Sequence, residues 1–90
     1  MSVFVQVQEA QWQRSVDYHQ RMLDQRTEEI ATIDAEIGLK PAADAPRGQW
    51  ETYLARRQRR RRAVADCVEH QQRLDRLLTN PPQPAAQQAA

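Results

Sequence analysis

Ninety residues suffice for one small domain, and the 40% hydrophobic content overstates its core, because 13 of those 36 residues are alanine. A mean hydropathy of −0.88, 28% charged residues, two glycines and few β-branched residues argue against a sheet and against a membrane span. The net charge of +1 is small for a dedicated nucleic-acid binder, which usually carries a large positive excess.

Glutamine, arginine, alanine and glutamate dominate, all good helix formers, so the expected fold is all-α. Residues 1–7 alternate apolar and polar side chains at Val3, Val5 and Val7. That strand-like period is too short to stand alone and suggests a flexible N-terminal arm.

A helix is expected over about 8–38. Val5, Glu9, Trp12, Val16, His19, Leu23, Arg26, Ile30, Ile33 and Ile37 follow alternating steps of four and three, the spacing of a coiled-coil seam. Gly38 would supply a left-handed cap, Leu39 the apolar contact that often follows it, and Pro41 the stop. The short connection contains Asp44, a suitable N-cap, and Pro46, tolerated in a first helical turn.

A second helix is expected over about 46–79, ended by the "TNPP" stretch at residues 79–82. Its seam reads Trp50, Tyr53, Arg57, Arg60, Val64, Cys67, Gln71, Leu74 and Leu78, with Leu54 and Val68 widening the stripe. The short connection makes the helices antiparallel neighbours. The fold expected is therefore a coiled-coil-like two-helix hairpin over residues 8–79, with residues 80–90 a disordered Pro/Gln/Ala tail.

Closing that hairpin pairs positions whose numbers sum to about 87. Ile37 then meets Trp50, Leu23 meets Val64, His19 meets Cys67 and Trp12 meets Leu74. Arg26 falls against Arg60 and Arg61, an awkward layer of like charges. Charge is also segregated: Glu9 to Gly38 holds seven acids against three arginines, and Gly48 to Asn80 holds eight arginines against four acids. Halves of opposite sign attract, within one chain or between copies.

Arg56, Arg57, Arg59, Arg60, Arg61 and Arg62 fill six of seven positions. At 100° per residue they surround the helix and cannot all share one solvated face. A buried guanidinium without a partner costs several kcal/mol, so Glu29 opposite Arg56, with Asp24 and Glu28 a turn away, is the expected counterpart. Arg59 and Arg62 would stay free. Phosphate binding is the competing use of this basic cluster, but no glycine or aromatic residue interleaves it and no base-reading motif accompanies it.

His19, Cys67 and His70, with Asp17 or Asp66, have the ligand types for zinc, yet Cys67-x-x-His70 is only half a structural motif. They read as packing residues, and no metal or other cofactor is expected. No nucleophile, paired carboxylate or phosphate-cradling loop marks an enzyme or a small-molecule substrate site. One cysteine excludes an internal disulfide, nothing leader-like opens the sequence, and the expected location is cytoplasmic.

Trp12, Trp50, Tyr53 and Leu54 are large for so small a body and belong to residue types that anchor interfaces. The sequence thus points to a protein-interaction subunit, an assembly, adaptor or regulatory protein that self-associates or joins a larger complex. The alternative is a nucleic-acid-associated protein using the helix around Arg56–Arg62.

Overall fold

The structure, a computed structural model, describes residues 3–82. Two helices, α1 (Val3–Ile37) and α2 (Arg47–Thr79), pack side by side as an antiparallel hairpin. The result is a rod of 70 × 18 × 15 Å. No described helix is long and apolar enough to cross a membrane.

α1 begins at Val3, so residues 3–7 belong to the rod rather than to an arm. Val5 explains the difference: it is buried and lies seven residues before Trp12, continuing the seam that the alternation at Val3, Val5 and Val7 obscured. Leu23, Ile30 and Ile37 are half-buried along the same stripe, and Ile33 is fully enclosed. Glu9 departs from the expected seam and faces solvent.

Gly38 ends α1 with φ +60°, the left-handed conformation that glycine adopts without a Cβ penalty. Leu39 does not supply the expected capping contact; it is 94% exposed. Pro46, rather than Asp44, takes the N-cap position of α2, with no side-chain cap. Its carbonyl accepts from the amides of Gln49 and Trp50. The Ala42 carbonyl gathers the connection, accepting from the Ala45 amide at 3.0 Å and from Trp50 Nε1 at 3.0 Å.

The seam of α2 differs from the expected one. Its inward stripe is Tyr53, Arg56, Ala63, Cys67, His70, Leu74 and Leu77, all buried or half-buried. Arg57, Val64, Gln71 and Leu78 are displaced by the neighbours Arg56, Ala63, His70 and Leu77, and lie exposed. One residue is 100° of helix rotation, enough to exchange a core position for a flanking one.

The pairing shifts as well. Trp12 meets Leu77 and His19 meets His70, pairs whose numbers sum to 89. Arg60 meets Asp34, a sum of 94. The like-charge layer therefore does not exist: Arg26 Nε lies 3.2 Å from Asp66 Oδ2 instead of facing Arg60 and Arg61. The small Ala63, only 3% exposed, occupies the position in which Val64 was expected. From residue 83 onward the expected disordered tail lies outside the described residues.

Candidate functional site

α2 carries the arginines through the middle of the rod, and the hairpin sorts them into two groups. Three reach α1. Arg56 donates to the Glu36 carbonyl at 3.0 Å, a group in the last turn of α1 that has no partner within its own helix. A guanidinium there also meets the negative end of the helix dipole. Arg60 grips Asp34 through Nε at 2.6 Å and a terminal nitrogen at 3.4 Å, and this bond, followed by the carboxylate's charge, raises the pKa of Arg60. Arg59 approaches Glu29 at 3.9 Å. The expected Glu29–Arg56 pair is replaced, since Glu29 binds Arg26 at 2.9 Å and Arg56 turns to the helix end.

The other three do not cross the seam. Arg57 lies over the Tyr53 ring, 5.8 Å from its centroid, a cation–π contact within one helix. Arg61 and Arg62 have no carboxylate within ion-pair distance among the described residues. These three side chains border a shallow open groove with Leu54, Gln58 and Ala65.

That groove belongs to a longer stripe. Leu54, Arg57, Arg61, Val64 and Val68 succeed one another in steps of three, four, three and four. This is a second coiled-coil spacing on α2, rotated away from the seam with α1. Leu54 is 53% and Val68 52% exposed. Apolar side chains that recur on one uncovered helix face make a surface suited to another helix. Periodicity alone places Val64 in the inward seam and Leu54 and Val68 at its edge, so it does not separate this stripe from the seam.

The aromatic residues make contacts within the chain. Trp12 is half-buried and its Nε1 donates to the Leu77 carbonyl at 2.7 Å, meeting one of the orphan carbonyls at the end of α2. Trp50 stacks edge-on against Tyr53 with centroids 6.1 Å apart, and Lys40 Nζ stands 5.9 Å from its ring centroid. Of the four residues expected to bind a partner, Leu54 alone is mostly exposed; Trp12, Trp50 and Tyr53 build the hairpin.

Midway along the seam, His19 and His70 face each other with Nδ1 atoms 2.8 Å apart, and Tyr18 packs edge-on against both rings. One ring donates and the other accepts, so at least one must be neutral at Nδ1. Burial first, then the charges of His70 and Arg73, lowers the pKa of His19. Cys67 is half-buried one turn before His70. No group of three His, Cys, Asp or Glu side chains is placed to hold a metal ion among the described residues, so the His19, Cys67 and His70 set with Asp17 or Asp66 does not assemble. No known protein family, curated protein or solved structure matches this chain.

Proposed function

We propose that this chain is a non-enzymatic interaction subunit, acting in assembly, as an adaptor or as a regulator, which receives a partner helix on the exposed stripe of α2. A reducing compartment such as the cytoplasm suits its single cysteine. The observation that carries the reading is the stripe itself. Leu54 and Val68 stand about half exposed and Val64 partly so, at coiled-coil spacing around Arg57 and Arg61, whereas Arg56, Arg59 and Arg60 are engaged with α1. Apolar contacts would supply affinity, and the arginines would select a partner bearing carboxylates.

The test places a photo-crosslinking residue at position 54 or 68 of the full chain in its native cell. Discrete adducts are expected from both positions and not from position 55, an exposed site that helix rotation turns away from the stripe. No adduct from either α2 position sinks the reading.

Nucleic acid remains the competing partner because Arg61 and Arg62 are exposed without carboxylates. With Arg57 they offer few phosphate contacts, so the logarithmic salt slope of duplex binding should not exceed about 3. Duplex binding with a slope approaching that value would favour this alternative over a protein partner.

A further inference from the structure

Resting on the stripe of α2 as a docking surface, we infer that its occupant is α1 of a second copy of this chain. The uncovered side of α1 carries Arg21, Asp24, Glu28, Ala31 and Ala35, all exposed and spaced in steps of three, four, three and four. This is the spacing of Leu54, Arg57, Arg61, Val64 and Val68 on α2. Set parallel, the stripes match layer by layer. Arg57 meets Asp24 and Arg61 meets Glu28, while Val64 and Val68 meet Ala31 and Ala35, large side chains against small. The aliphatic stem of Arg21 lies along Leu54.

Charge within the single chain leaves these groups available. Asp24 accepts only from Gln20 in its own helix, at 3.2 Å, and the Glu28 carboxylate has no ion pair among the described residues. Arg61 likewise has none, and Arg57 has none either, its guanidinium lying over the Tyr53 ring of its own helix. Surplus positive charge on one helix thus faces surplus negative charge on the other, and one chain cannot bring those two surfaces together. A second copy can.

Pairing α2 with α2 of a neighbour is disfavoured, because it would set the arginine run against itself. Pairing α1 with α2 is also heterologous: each contact uses one stripe from each copy and leaves a stripe of each kind open. Such contacts extend until they close into a ring or a reciprocal bundle.

The experiment is sedimentation of the purified full chain over a range of concentration and salt. A mass above the monomer is expected, with the dissociation constant rising at least about tenfold once salt reaches several times the physiological level and shortens the screening length. Arg57→Glu with Arg61→Glu should give a monomer, as should Asp24→Arg with Glu28→Arg. All four substitutions in one chain should restore association, because the swapped charges again meet between copies. Circular dichroism should show every variant helical, since none of the four side chains bridges α1 and α2.

A wild-type chain that stays monomeric, or a four-fold variant that fails to recover while remaining helical, overturns the inference. If photo-adducts then form at positions 54 and 68 with a different polypeptide, the docking surface survives and only its occupant changes. Their absence removes both.

Discussion

At the scale of single residues, His19 is the group whose environment matters most. It sits in the seam against His70 and beside Tyr18 and Arg73. Its proton affinity is lowered on folding, so the neutral ring suits the hairpin better than the charged one. As pH falls, the unfolded chain takes up this proton first. The contribution of His19 to stability is therefore complete above the ordinary histidine pKa of 6.5 and is lost as pH drops through that value toward the lower folded one. Two protonated rings would also leave no acceptor between the Nδ1 atoms. Melting temperature should fall between pH 7.5 and pH 5.5, a span of about 2 units around the histidine range. His19→Leu should flatten that dependence by removing the titrating group. An unchanged slope in the variant would place the pH sensitivity elsewhere.

At the scale of the helices, α1 was legible because its seam is written in strongly apolar residues. Leu23, Ile30, Ile33 and Ile37 admit one stripe and no close rival. α2 was ambiguous for a physical reason. At Arg56 and Arg57, Ala63 and Val64, His70 and Gln71, and Leu77 and Leu78, each pair offers two adjacent stripes of similar quality. Hydrophobicity alone prefers Val64 to Ala63. Charge decides otherwise, because the observed rotation gives Arg56 a helix-end carbonyl, Arg60 a carboxylate and Arg26 an acidic neighbour. The exposed stripe of α2 was hidden by the same ambiguity, since hydrophobicity places Val64 inward. This register is testable with two substitutions. Ala63→Leu would force a large side chain into an enclosed position and should cost about 1–3 kcal/mol in chemical denaturation. Val64→Ala should cost less than that at a concentration low enough to keep the chain monomeric, because its side chain is partly exposed. The reverse order of costs would restore the originally expected seam.

At the scale of the whole molecule, the proportions of the rod bear on its stability. Its radius of gyration is 20.8 Å, against about 12 Å for a compact domain of this length. A two-helix rod has one shared seam and no interior layer, and its enclosed apolar residues among those described are Val5, Ile33, Ala63 and Leu74. Half of the ion pairs among the described residues are solvent-exposed on both sides, and such pairs contribute about 0–1 kcal/mol each. Apolar burial on this scale leaves small domains marginal unless something else covers them. If further copies cover the α2 stripe, folding and association are linked, and the associated form gains stability by mass action. The melting temperature should therefore rise with protein concentration over about a hundredfold range, and the Arg57→Glu, Arg61→Glu variant should lose that rise. A wild-type melting temperature that ignores concentration would mean that the hairpin stands alone, with the capping contacts of Arg56 and Trp12 and the seam at Ile33 sufficient to hold it.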